Sequence, residues 1–191
     1  MAYTGMILAL WLVFVAYWAI TAIGVKRDIR QSAWWRDVAV RIVLAFIVLL
    51  LARSSTLDRL SRHRRSVRIV LANPIIQLIG VALCAVGIAF AILARWHLGR
   101  NWSAAATLKE GHELVTSGPY ARVRHPIYTG ILTALLGSAL TVGGMVLSVF
   151  VVCCVLFLWR ITVEERLMQQ QFPHDYPAYR ARTKALIPFI L

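Results

Sequence analysis

The residues from Pro126 to Trp159 form a run of 34 residues without a charged side chain. A single α-helix of that length would be roughly 51 Å long, whereas the hydrocarbon core of a bilayer is about 30 Å thick. Gly143 and Gly144 lie near the middle of the run. The sequence therefore predicts two short helices of about 16 residues each, folded back on one another at this glycine pair. One long, tilted helix is the alternative.

Three further apolar tracts precede this run. Apolar residues make up 60% of the 191 residues and charged residues only 15%, which excludes an ordinary soluble domain. The tracts are Met6–Val25 and Ile69–Ala94, both free of charge, and Val38–Ala52, which contains Arg41. The first is expected to remain as a span, because it lacks the basic start and small-residue cleavage site of a signal peptide. We predict an all-α integral membrane protein with about five transmembrane helices, including the C-terminal hairpin.

The length favours a single membrane domain, residues 1–191. Residues 1–70 contain no cluster of candidate catalytic groups and are expected to form an N-terminal helical scaffold. Residues 71–191 are expected to form the functional core. Within the third tract, Gly80 and Gly87 are expected to allow close helix packing, and Asn73 followed by proline is a helix-start signal.

The basic residues flank the apolar tracts. The chain has 21 Lys and Arg against 8 Asp and Glu, a net charge of +13, and their distribution favours orientation in a membrane and anionic headgroups over nucleic-acid binding. The positive-inside rule predicts an N-terminus outside and a C-terminus in the cytoplasm, with the loop Arg53–Arg68 as an exception to the pattern. The excess of arginine over lysine suggests a bacterial source, hence the cytoplasmic membrane. No obligate protein partner is evident.

Polar groups that can do chemistry are concentrated in two segments. The segment 95–128 is a long, glycine-punctuated loop next to a membrane helix, and such loops are usually functional. The segment 160–188 begins with Arg160 and Glu164, which share one face of a helix. Glu165 is expected either to face solvent or to pair with a loop arginine. We predict that the two segments form one cytosol-facing pocket.

A metal site is not expected in this chain. The three cysteines, Cys84, Cys153 and Cys154, lie inside apolar tracts without the spacing of metal ligands. We interpret them as small core residues.

Five strings from these segments, in this order, resemble the isoprenylcysteine carboxyl methyltransferase family, which is related to integral-membrane phospholipid methyltransferases. The resemblance covers about residues 75 to 188. The strings are Leu98–Ser103, His112–Tyr120, Arg124–Gly130, Arg160 and Ile161 with Glu164–Leu167, and Tyr176 with Tyr179 and Arg180. Two positions depart from the family pattern: the run Ala104–Ala106 replaces a glutamine that relatives can carry, and Pro173 replaces a glycine.

The resemblance implies S-adenosylmethionine as the cofactor, no metal, and a lipophilic acceptor. Arg160 would bind the acceptor, and Arg160 and Glu164 would be catalytic. Arg124 is expected to face the cofactor side. The residues that would hold the cofactor are His112, Glu113, Leu114, Val115, Tyr120, His125, Pro126, Ile127, Tyr128 and Glu164.

These residue types suit the implied chemistry. Tyr120 and Tyr128 offer aromatic faces to a sulfonium, and a guanidinium binds a carboxylate with two parallel hydrogen bonds. An apolar cavity between the hairpin and the third tract is expected to take the lipid chain.

The acceptor stays open at this point. The carboxylate of an isoprenylcysteine-like or other lipidic molecule is favoured, and a lipid amine, thiol or phenol is the alternative. An NADPH-dependent membrane reductase of similar architecture and a non-enzymatic scaffold also remain.

Overall fold

The fold is an assembly of helices, described here from a computed structural model for residues 2–21, 73–99 and 114–187. Within these ranges there is no β-strand, and a single parallel bridge joins Val123 to Lys184. The predicted all-α fold is confirmed; Val38–Ala52 and Arg53–Arg68 lie outside the described residues. The helices are α1 (Ala2–Thr21), α2 (Pro74–Leu98), α3 (Pro126–Val142), α4 (Gly144–Gln171) and α5 (Asp175–Arg182), with a 3₁₀ turn at Gly118–Ala121.

The charge-free run is a helical hairpin, as predicted. Helix α3 ends at Val142, and Gly143 adopts a φ of 102°, a conformation that favours glycine. The Gly143 N–H closes α3 by donating to the Ala139 carbonyl at 2.9 Å. The second arm is longer than predicted, 28 residues against 17 for the first, because α4 continues past the apolar run to Gln171.

Helices α2 and α3 pack with their backbones in contact. A Cβ atom at Gly87 would lie 2.5 Å from the Ala134 nitrogen, and one at Gly137 would lie 2.4 Å from the Gly80 carbonyl oxygen. The predicted close packing at Gly80 and Gly87 is confirmed. The expected cavity between the third tract and the hairpin is therefore wrong for the first arm, because two backbones this close leave no room for a lipid chain.

Helices α1 and α2 end on the same side of the molecule as the start of α3. Arg95, near the end of α2, is buried and donates hydrogen bonds to the carbonyls of Thr21 (2.7 Å) and Gly99 (2.8 Å). Carbonyls at helix ends lack partners within their own helix, and a cation there also complements the helix dipole. This arginine thus fixes the end of α1 beside the end of α2.

Three of the described helices are long and apolar enough to cross a membrane: Ala2–Thr21, Pro74–Leu98 and Val146–Gln171. Their outer faces expose large apolar side chains such as Leu12, Val86 and Val155. A protein surface of this kind suits lipid as its solvent.

Candidate active site

The candidate site lies where the first turn of α3 faces the middle of α4. His125 is the residue before α3, and Tyr128 lies in the first turn of that helix. Arg160 and Glu164 come from α4. Pro126 occupies the first helical position, where its missing N–H costs nothing, and it is fully buried. The fold thus brings together four residues that the sequence placed in the site.

Glu164 is the centre of this group. Its Oε1 accepts a hydrogen bond from the Tyr128 hydroxyl at 2.5 Å and one from the Arg160 Nε at 2.8 Å. The same Arg160 Nε lies 2.7 Å from the Tyr128 oxygen. The other carboxylate oxygen lies 3.5 Å from the His125 Nδ1. A negative charge held among these donors can bind a cationic group of a ligand.

His125 is buried between two carboxylates. Its Nδ1 faces Glu164 and its Nε2 lies 3.5 Å from the Glu165 Oε1, but Nε2 has no hydrogen-bond partner. Burial alone lowers the pKa of His125, and the two glutamates outweigh burial, so the pKa is raised above its ordinary value. The imidazole thus has a buried polar atom that a ligand can satisfy.

Aromatic rings line the same face. The ring centroids of His125 and Tyr128 are 5.7 Å apart and nearly parallel, and those of Tyr128 and Phe157 are 4.5 Å apart. Sequence reasoning missed Phe157. It lies seven residues before Glu164 and three before Arg160, so helical spacing alone places all three on one face.

Tyr120 is turned into the protein. Its side chain is 6% exposed, its hydroxyl approaches the Ala94 carbonyl at 3.4 Å, and burial raises its pKa. Its own carbonyl accepts a hydrogen bond from the Tyr179 hydroxyl at 2.8 Å. Tyr120 therefore anchors the 3₁₀ turn, and its role as a cofactor contact stays a prediction.

Within the residues that the structure describes, the other residues assigned to the cofactor make no contact that would indicate their role in the site. Leu114 and Val115 are partly buried and lead into the 3₁₀ turn, and Ile127 is partly buried beside the site. His112 and Glu113 lie outside the described residues. No group of three His, Cys, Asp or Glu side chains in the described ranges is placed to hold a metal ion.

Glu165 and Arg124 form a second ion pair next to the site. The Arg124 Nε donates to the Glu165 Oε1 at 2.7 Å. Of the two expectations for Glu165, pairing with a loop arginine is confirmed and exposure to solvent is wrong, since the residue is 9% exposed. The Arg124 guanidinium also donates to the carbonyls of Arg180 and Thr183, and its place on the cofactor side stays a prediction.

Comparisons with known proteins identify the family of this chain. The family model for phospholipid methyltransferases matches residues 75–175. A protein-S-isoprenylcysteine O-methyltransferase of Schizosaccharomyces pombe is 36% identical over 88 residues, which are 45% of this chain and 37% of that protein. The nickel-cobalt-cadmium resistance protein NccN of Alcaligenes xylosoxydans xylosoxydans is 29% identical over 154 residues, covering 72% of this chain and 71% of the relative.

A solved structure shares the fold. The eukaryotic intramembrane Ras methyltransferase ICMT (isoprenylcysteine carboxyl methyltransferase) superposes with a TM-score of 0.56 at 22% sequence identity, over 85% of this chain and 55% of that chain. This chain thus spans little more than half the length of the solved protein. The match of the family model to more than half of the chain, together with these relatives, confirms the resemblance seen in the sequence: the chain belongs to the phospholipid methyltransferase family and is an integral membrane protein similar to isoprenylcysteine carboxyl methyltransferases.

Proposed function

We propose that this protein transfers a methyl group from S-adenosylmethionine to a lipophilic acceptor at the membrane, with the carboxylate of an isoprenylcysteine-like or other lipidic molecule as the favoured acceptor. One observation carries the proposal. Arg160 and Glu164 of α4 and Tyr128 of α3 form a joined group of charge-assisted hydrogen bonds between the two arms of the hairpin. Family membership supports the same reaction class.

The residues present fit S-adenosylmethionine. Its amino group and sulfonium need a carboxylate and aromatic rings, which Glu164, Tyr128 and Phe157 supply. Its carboxylate or ribose needs a donor, and the buried His125 Nε2 has no hydrogen-bond partner. When bound, the cofactor supplies a methyl group on a positively charged sulfur, and its transfer breaks the carbon–sulfur bond with the electron pair left on sulfur.

Arg160 is the residue that we assign to the acceptor. A guanidinium presents five N–H donors in a planar fork that matches the two oxygens of a carboxylate. Arg160 directly follows the apolar run of α4, where the polar end of a membrane lipid lies. A carboxylate acceptor has no proton to lose, so the site needs a cation to orient it and no general base.

The lipid chain of the acceptor is assigned to the surface of α4. Helices α2 and α3 are closed against each other, whereas Cys153, Leu156 and Phe157 share the face of α4 that carries Arg160 and are only partly buried. An apolar chain lying on this face reaches the membrane directly and excludes water from the side of the site that faces lipid.

Two assays test the proposal with purified protein. Calorimetry with S-adenosylhomocysteine and with NADPH separates a methyltransferase from a reductase. We expect saturable binding of the first and none of the second; binding of NADPH alone contradicts the proposal. Transfer of a radiolabelled methyl group into a lipid extract then identifies the acceptor. Mild base releases label from a carboxyl ester as volatile methanol, whereas label on an amine, thiol or phenol stays in the lipid.

A further inference from the structure

The two adjacent glutamates of α4 point in different directions. Successive residues on a helix are about 100° apart around its axis, so Glu164 turns to Tyr128 and Glu165 turns away. Glu165 lies 2.7 Å from the Arg124 Nε and 3.3 Å from the Arg180 Nε. A carboxylate that is 9% exposed needs such partners, because an isolated buried charge is strongly unfavourable.

Arg124 connects this glutamate to the C-terminal segment. Its Nε donates to Glu165, and its Nη1 donates to the backbone carbonyls of Arg180 (3.3 Å) and Thr183. Thr183 is itself buried and caps α5 by donating its hydroxyl to the Tyr179 carbonyl at 2.7 Å. One guanidinium therefore binds α4, the last turn of α5 and the residue after it.

Residues 183–187, which we call the strap, lie along the segment that enters α3. Three successive carbonyls of the strap accept hydrogen bonds from that segment and from the first turn of α3, and Leu186 is buried. The pairs are Arg124 N–H to Lys184 (2.8 Å), His125 N–H to Ala185 (3.0 Å) and the Thr129 hydroxyl to Leu186 (2.7 Å). The backbone of His125 is thus fixed by the strap.

The side chain of His125 lies between two carboxylates, and its contact with Glu165 is electrostatic, because Nε2 makes no hydrogen bond within the described residues. Glu164 faces one ring nitrogen and Glu165 faces the other, each at 3.5 Å. Glu165 is held in turn by Arg124, and Arg124 also holds the strap that binds the His125 backbone. Loss of Arg124 therefore loosens His125 through two independent routes.

We propose that Arg124 and Glu165 are positioning residues, whose ion pair, together with the strap, fixes the His125 ring at the wall of the cofactor site. This inference rests on the proposed function of that site. It assigns the two glutamates different tasks: Glu164 contacts the ligand, and Glu165 acts through His125. Positioning of this kind affects cofactor affinity more than the rate of the bound complex.

The test uses Arg124→Gln, Arg124→Lys and Glu165→Gln in the full-length protein. Arg124→Gln loses a charge-assisted bond and the strap contacts, so we expect the Kd for S-adenosylhomocysteine to rise about tenfold to a hundredfold. Arg124→Lys keeps the charge near Glu165 and is expected to regain part of that affinity. The maximal rate at saturating cofactor is expected to stay within about threefold of wild type. Hydrogen exchange at the Arg124 and His125 amides is expected to accelerate in Arg124→Gln.

Two exposed arginines provide matched controls. Arg122→Gln and Arg166→Gln remove the same charge from neighbouring positions that have no ion pair in the described part of the chain, so their Kd is expected to equal that of wild type. Arg124→Gln and Glu165→Gln variants that fold and bind with wild-type affinity overturn this inference, as does a fall in maximal rate with unchanged affinity. Wild-type protein that binds no S-adenosylhomocysteine overturns the proposed function instead.

Discussion

Replacing Glu164 by glutamine removes the negative charge at the centre of the candidate site and keeps the shape of the side chain. In the structure this carboxylate accepts two short hydrogen bonds, from Tyr128 and Arg160, and is 23% exposed. A hydrogen bond to a charged group contributes about 1.5–3 kcal/mol. A ligand cation that loses this partner is therefore expected to bind about 10- to 150-fold more weakly.

Titration calorimetry with S-adenosylhomocysteine measures this change. The purified variant is compared with wild type and with Asp175→Asn, which removes an exposed carboxylate from the first turn of α5. S-adenosylhomocysteine, the product that the cofactor becomes after methyl transfer, keeps the amino group and lacks the sulfonium. A larger loss with S-adenosylmethionine than with the product therefore indicates that Glu164 also faces the sulfonium.

A Glu164→Gln variant that binds both ligands within about threefold of wild type, with unchanged thermal stability, refutes a role of this carboxylate in ligand binding. Such a result means that the carboxylate serves only to hold Arg160 and Tyr128. An equal loss of affinity in Asp175→Asn contradicts it as well, because the effect is then one of overall charge.

Three further predictions concern turnover, packing and pH. Arg160→Ala is expected to lower kcat at least about a hundredfold, because the cation that orients the acceptor is lost. Its Kd for S-adenosylhomocysteine is expected to stay unchanged, since Glu164 keeps its charge. A loss of affinity equal to that of Glu164→Gln refutes this division of roles. Gly87→Ala is expected to lower the Tm by forcing α2 and α3 apart, whereas Gly5→Ala, which meets nothing within 4 Å, is expected to be neutral or stabilising. His125→Asn is expected to cost more thermal stability at pH 6 than at pH 9. The pKa of His125 is raised in the folded protein. The stabilisation by its charge is therefore present below the unfolded pKa of about 6.5 and is lost as the pH rises through the folded pKa. A loss that does not change with pH contradicts this prediction.

The features that sequence reasoning predicted well are those encoded locally. The hairpin turn follows from the length of an uncharged run and a glycine pair, and the shared face of Arg160 and Glu164 follows from helical spacing. Phe157 obeys the same spacing, but an apolar residue in an apolar run gives no signal of its own.

The features that sequence reasoning missed depend on contacts between segments that are distant in the chain. The strap meets the segment before α3 about 60 residues away in sequence, and no periodicity reports such a pairing. The burial of Arg95 could not be predicted from the sequence either. An arginine at a helix end usually extends to the headgroups, and only the position of α1 reveals that this one is buried against Thr21.

Photolabelling with radiolabelled S-adenosylmethionine tests the central claim most directly, because it locates the cofactor in the chain. Irradiated protein is digested, and the labelled peptides are mapped with and without excess S-adenosylhomocysteine. We expect label on the peptides that contain His125, Tyr128 and Phe157, and we expect S-adenosylhomocysteine to displace it. Label confined to other segments, or label that the product does not displace, contradicts the assignment of this site.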